Sequence, residues 1–222
     1  MTYIGYLHKV EFTLEQYAQI DAYCKAKGID WFVSCWDEES VDAIEQSNPP
    51  LYKAPSASLT DILLLRMKST GKPLILSTGM STSQEITEAV NQLSTENLLI
   101  AHSTPAYPCS VSELNLLMIR LLQKQYPDTP IGYSGHELGL APSWAAISLG
   151  DNFVKRHVTL DRSMWETDQT ASVEILRMYR LVKDIMDIEK TMGDGVKRVY
   201  PSEMSVWEQV YRQLREPEPC LS

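Results

Sequence analysis

Two short stretches carry side chains able to do chemistry near neutral pH: GYSGHELGL at 132 to 140 and VKRHVTLD at 154 to 161. Each places a histidine, His136 or His157, just past a β-rich run and among small and hydroxyl side chains. Neutral imidazole suits manganese, iron, cobalt or zinc, and an ion held by two protein donors keeps positions open for substrate and water. The pair is therefore either a two-histidine metal site or two rim histidines satisfied by their neighbours. The same strand-end logic gathers Ser34, Cys35 and Asp37, then Lys53 and Ser56, Ser77 and Thr78, His102 to Thr104 with Tyr107, Ser134, and finally Thr159 and Asp161. Lys53 is either an anion holder for a phosphate or carboxylate or a solvated lysine at a strand terminus. Asp168, in MWETDQTAS, either accepts hydrogen bonds from sugar hydroxyls or caps the helix that follows. His102 lies nearer the interior of its strand, where packing is expected.

These residues need a scaffold that brings successive strand ends together. Short β-rich apolar runs recur at 30 to 36, 51 to 55, 72 to 78, 97 to 104, 130 to 134 and 152 to 158, each followed by a helical pattern. Such alternation implies a parallel sheet with crossover helices, an α/β fold, and in such folds reactive groups collect beyond the carboxyl ends of the strands. Thr13 with Gln16, Thr82 with Glu85 and Ser110 with Glu113 predict capping boxes, while Gly28, Gly71 and Pro127 predict helix ends. Residues 171 to 192 predict a long amphipathic helix with Ile175, Met178, Leu181 and Ile185 on its apolar stripe. The pattern fails after Gly195, so the chain divides into a domain over 1–205 and a tail or linker stump over 206–222. A (β/α)8 barrel of the TIM type takes about 250 residues, or about 30 per unit. The expectation for 222 residues is an incomplete barrel of about six βα units, two units short.

Composition narrows the function classes. A net charge of -9 argues against a nucleic-acid groove, and an anionic substrate would need local positive charge. The cysteines at 24, 35, 109 and 220 form no CxxC and no dense framework, which predicts a reducing, cytoplasmic setting. No apolar run approaches the roughly 18 residues of a membrane span, and the first residues lack a signal-peptide core.

Seven stretches, in order, resemble the sialic acid synthase family: LYKAPSA, GKPLILSTGMST, HSTPAYP, IGYSGHELG, VKRHVTLDR, TDQTAS and EKTMGDGVKRVYPSE. They cover about residues 5 to 205. The resemblance implies a condensation of phosphoenolpyruvate with an open-chain N-acylated amino sugar, giving a nine-carbon 2-keto acid and phosphate. It implies a divalent cation, usually manganese, held by His136 and His157. It places Lys53, Ser56, Ser77 and Ser134 around phosphoenolpyruvate and turns Tyr107 and Asp168 toward the sugar. On this reading His136, His157 and Lys53 are the catalytic set.

The chain also departs from the family pattern. The aspartate of the family's YSDH is Gly135, the asparagine or serine common before the xYP turn is Pro105, and Cys35 stands in place of a threonine. The family's first two strands, which bring a glutamate and a lysine, and its small C-terminal antifreeze-like domain, which brings an arginine, have no counterpart. Two expectations follow: a synthase barrel that can dimerise, or an impaired fragment and assembly partner completed by a polypeptide that supplies the missing strands. An unrelated metal-dependent barrel leaves the serine-rich strand ends and GDGVKRVYPSE unexplained.

Overall fold

The computed structural model describes residue 5, residues 9–164 and residues 168–215. Its centre is a five-stranded, all-parallel sheet in the order β1 to β5: Tyr52–Ala54, Leu74–Ser77, Leu98–Ser103, Ile131–Gly135 and Phe153–Arg156. The helices α1 Leu14–Lys27 and α2 Glu38–Glu45 precede the sheet. Crossover helices α3 Ile62–Ser69, α4 Ser83–Leu93, α5 Leu117–Gln125 and α6 Ala141–Ser148 join successive strands.

Parallel strands are flanked by their crossovers, so one face of each strand is apolar and dry. Tyr52, Ala54, Leu74, Leu76, Leu98, Ile100, Ile131 and Tyr133 alternate onto that face and belong to one buried cluster with Leu63, Val90 and Ile119 of the helices. Each fully buried Leu or Ile contributes about 1.5–3 kcal/mol relative to exposure. This layer holds the register on which the other face depends.

Local signals behave as their chemistry predicts at two of three capping boxes. Thr13 and Gln16 exchange side-chain and backbone hydrogen bonds, as do Thr82 and Glu85. Gly28 closes α1 in the left-handed region at φ 66°. At Ser110 the expectation does not hold: Val111–Glu113 is a single 3-10 turn without a side-chain cap, and the Ser110 hydroxyl pairs instead with Ser112 Oγ at 2.8 Å.

Three further expectations are corrected. The run at 30 to 36 forms no ladder among the described residues, so the sheet has five strands rather than six. Trp31 stacks on Tyr17 at 6.0 Å and donates its indole N–H to Asp21, and Cys35 is buried, so this segment packs by side chains instead. The long helix, α7, is Ile175–Met192, because Val173–Glu174 forms a strand, β7, paired with β6 at Val158–Thr159. Leu181, Met178 and Ile185 pack as expected, whereas Ile175 is exposed. Finally, residues Pro201–Arg215 form a helix, α8, that runs across the boundary drawn at 205; proline at its first position needs no N–H partner, and Glu203 accepts from the Tyr200 N–H at 3.0 Å. No helix among the described residues is long and apolar enough to cross a membrane.

A buried ion pair ties β4 to β5. Arg156 Nη1 donates to Glu137 Oε1 at 2.7 Å, with both side chains fully buried. Arg156 also donates to the Glu137 and Gly139 carbonyls and to Ser143 Oγ, and the Tyr133 hydroxyl donates to Glu137 Oε2 at 2.7 Å. Removing one partner leaves an uncompensated buried charge, a loss of about 3–5 kcal/mol. Glu137→Gln is expected to lower unfolding stability by that amount in urea titration; a change within about 0.5 kcal/mol, the range of an ordinary surface substitution, would show the pair to be replaceable by neutral hydrogen bonds.

A second buried acid has no such partner. Neither carboxylate oxygen of Asp151 is hydrogen-bonded, and burial raises its pKa to about 8. The folded value exceeds the unfolded value of about 3.9, so its contribution to stability is complete below that value and is lost as pH rises toward 8. Asp151→Asn should therefore raise the melting temperature more at pH 8 than at pH 5, measured by calorimetry at both; an equal shift at the two pH values refutes the assignment.

Candidate functional site

Register assigns the second face of the sheet. Ser134 is opposite Ser103 on one side and Lys155 on the other, Ser77 is opposite Ala101, and Lys53 is opposite Ile75. Registered neighbours share a face and alternate residues along a strand share it too. Lys53, Ser77, Ser103, Ser134 and Lys155 therefore stand on one face, opposite the apolar layer. His136 and His157 extend the same alternation past the ends of β4 and β5. His102 has the other parity: its Nε2 lies 2.7 Å from the Leu114 carbonyl and its ring packs near Tyr133, so it belongs to the helix face.

The two imidazoles are neighbours, with ring centroids 5.3 Å apart. Tyr107, beside a cis peptide to Pro108, lies 4.6 Å from the His136 ring and 5.8 Å from the His157 ring, edge-on to both. His136 Nδ1 faces Ser103 Oγ at 3.5 Å. His157 Nδ1 faces Asp168 Oδ2 at 3.8 Å. Asp168 occupies the position before a 3-10 turn, Gln169–Ala171, and makes no side-chain cap there, so of its two sequence readings the helix cap is absent.

His157 sits where the backbone changes ladders. β5 ends at Arg156, β6 begins at Val158, and the His157 carbonyl accepts from the Val173 N–H at 2.8 Å. The residue is thus held by strand bonds on both sides. His136 is held by its neighbour, since Glu137 is fixed by Arg156, which itself precedes His157. One ion pair therefore sets the spacing of both rings.

The electrostatics are those of a desolvated, positively charged pocket. Burial, then the charge of Lys155 and the other nearby cationic groups, pushes His136 down to about 3. Burial and Lys155 push His157 down to about 4, with Asp168 opposing them in part. Burial also lowers Lys53 and brings Lys155 down to about 7, with Lys53 adding to the Lys155 shift. Both imidazoles are neutral at neutral pH, and each keeps a lone pair.

Hydroxyls complete the face. Ser134 is buried, and Ser77 Oγ is buried with no hydrogen-bond partner among the described residues. Ser56 lies on the 3-10 turn after β1. A Cβ at Gly79 would come within 2.7 Å of Ser56 Oγ and 2.5 Å of Pro105 Cδ, so glycine there lets both residues close over the end of β2. Gly135 is explained in the same way: a Cβ would lie 2.6 Å from Glu137 Oε2 and 2.7 Å from the Tyr133 ring. The carboxylate of Glu137 fills the space beside residue 135 where a side chain would begin.

Sequence reasoning left three contributors unassigned. Lys155 was recoverable, because in a strand it shares a face with His157 two residues on. Glu137 and Arg156 each flank a histidine, but 19 residues separate them and no local pattern pairs them.

As a donor set, two adjacent imidazoles fit a divalent cation, which takes neutral imidazole nitrogen as a ligand. Among the described residues no group of three or more His, Cys, Asp or Glu converges on a common point.

Known proteins resemble this chain over most of its length. The chain is 33% identical over 217 residues to the N-acetylneuraminate-9-phosphate synthase of Homo sapiens, which covers 96% of this chain and 60% of that protein. It is 33% identical over 203 residues to the N,N'-diacetyllegionaminic acid synthase of Campylobacter jejuni, covering 89% of this chain and 60% of that protein. Its structure is similar to that of the N-acetylneuraminic acid (sialic acid) synthetase of Leptospira borgpetersenii, with a TM-score of 0.82, 26% identity, and coverage of 93% of this chain and 73% of that one. The chain thus spans about 60% of the length of these curated relatives. The NeuB family profile matches residues 1–197, which include the whole described sheet and every helix but α8, and the chain belongs to the NeuB family.

Proposed function

We propose that this chain carries the reactive face of a synthase that condenses phosphoenolpyruvate with an N-acylated amino sugar, N-acetylmannosamine or a related bacterial sugar, to a nine-carbon 2-keto acid and phosphate. One observation carries the reading: lysines and buried serines share a single sheet face that ends on two adjacent imidazoles. The names of the relatives, sialic and legionaminic acid synthases, support it. The five parallel strands are then staves of an incomplete (β/α)8 barrel, with the site at their carboxyl ends.

In this reaction C3 of the enol phosphate bonds to the sugar's aldehyde carbon, water adds at C2, and phosphate departs. Lys53 holds the phosphate or carboxylate, and the unpartnered Ser77 hydroxyl, with Ser56 and Ser134, donates to the remaining anionic oxygens. These groups act by position and charge, in a pocket where low dielectric strengthens both. Tyr107 and Asp168 border the space left for the sugar, with Asp168 Oδ2 3.8 Å from His157 Nδ1. His136 and His157 would hold a divalent cation, manganese in this reading, which when bound supplies Lewis-acid polarisation of the aldehyde oxygen.

A second reading rests on the sheet edge. β1 pairs only with β2, so its outer backbone groups face no strand among the described residues. On that reading a second polypeptide completes the sheet, and the chain alone turns over poorly.

Phosphate release from phosphoenolpyruvate, assayed with manganese and with or without the amino sugar, tests the proposal. Release should require the sugar, and Lys53→Met should lower kcat/KM about 10²-fold, chiefly through KM for phosphoenolpyruvate. Sugar-independent release, or an unaffected Lys53→Met, would refute the assignment. Activity that appears only on adding a polypeptide carrying further strands favours the second reading.

A further inference from the structure

The Nε2 atom of His157 already has a partner. Lys155 Nζ lies 2.5 Å from it, inside the pocket and on the same sheet face. Asp168 Oδ2 lies 3.8 Å from the other ring nitrogen, Nδ1; in the tautomer that keeps its proton on that side, Nε2 carries the lone pair and the lysine amine occupies the direction a metal ion would need. A transition-metal ion sits about 2 Å from an imidazole nitrogen. An amine at 2.5 Å on the same lone pair and an ion at that distance cannot coexist, and an ammonium beside a dication is also repelled by it.

We propose that Lys155 is a built-in competitor for the cation position: its amine caps the His157 lone pair, and a divalent ion binds only by displacing it. This rests on the two-histidine metal reading given above. The lysine does not need a new site once displaced, because the register puts it beside Ser134, on the face where Lys53 and the serines gather. There it would join Lys53 in holding an anionic oxygen of the substrate. The position is thus filled in both states, by the chain's own side chain in one and the metal in the other. A neutral residue at 155 would remove the competition and leave the two imidazoles open.

Manganese titration followed by electron paramagnetic resonance of the free ion tests this on the full chain. Lys155→Met and Lys155→Gln should each bind manganese at least about tenfold more tightly than the unaltered chain, and adding His157→Gln to either should abolish the gain. Circular dichroism of each variant establishes that it is folded, and the two neutral replacements guard against one of them failing to fold. If both folded variants bind no more tightly than the unaltered chain while His157→Gln alone weakens binding, the competition is refuted and the metal site stands. If manganese binds neither the unaltered chain nor the folded lysine variants, the metal reading fails and the competition fails with it.

Discussion

The Arg156–Glu137 pair is the constraint on which the reactive face depends. Two charges without water hold each other, and each is the chain neighbour of a histidine. A buried pair is a weak source of net stability but a strict one geometrically, because neither member can leave without stranding the other. Its five hydrogen bonds from the guanidinium and the Tyr133 hydroxyl to Glu137, Gly139 and Ser143 fix the turn after β4 against the end of β5. The imidazoles sit one residue away from these fixed points, so their separation is inherited from the pair.

The sheet divides its labour by parity. Even-numbered positions in β4, such as Ser134, look into the pocket, whereas Tyr133 beside it enters the dry layer under the helices. A polar pocket can therefore lie directly against an apolar core with only the thickness of a sheet between them. Desolvation from that core is the first cause of every large shift in the site, at His136, His157 and Lys155. The same burial that holds the fold together keeps the imidazoles uncharged.

Much of the fold is legible in the chain because its causes are local. β1 to β5 coincide with apolar runs, and the boxes at Thr13 and Thr82 are formed by residues three apart. The misses share a non-local cause. Residues 30 to 36 have strand-like composition, but a ladder requires a partner, which composition does not reveal. β7 is two residues long, too short for any period, and exists because β6 runs beside it. The site divides in the same way: the histidines, Lys53 and the serines follow from strand ends, while the Glu137–Arg156 pair depends on how two strands meet. Lys155 is the exception, visible from simple alternation with His157.

Gly135 has a steric consequence. Because Glu137 folds its carboxylate back over residue 135, an acid at 135 and the acid at 137 compete for one small volume. A side chain at 135 therefore has room only if the Glu137 carboxylate swings away, and that carboxylate cannot move without loosening the guanidinium it holds.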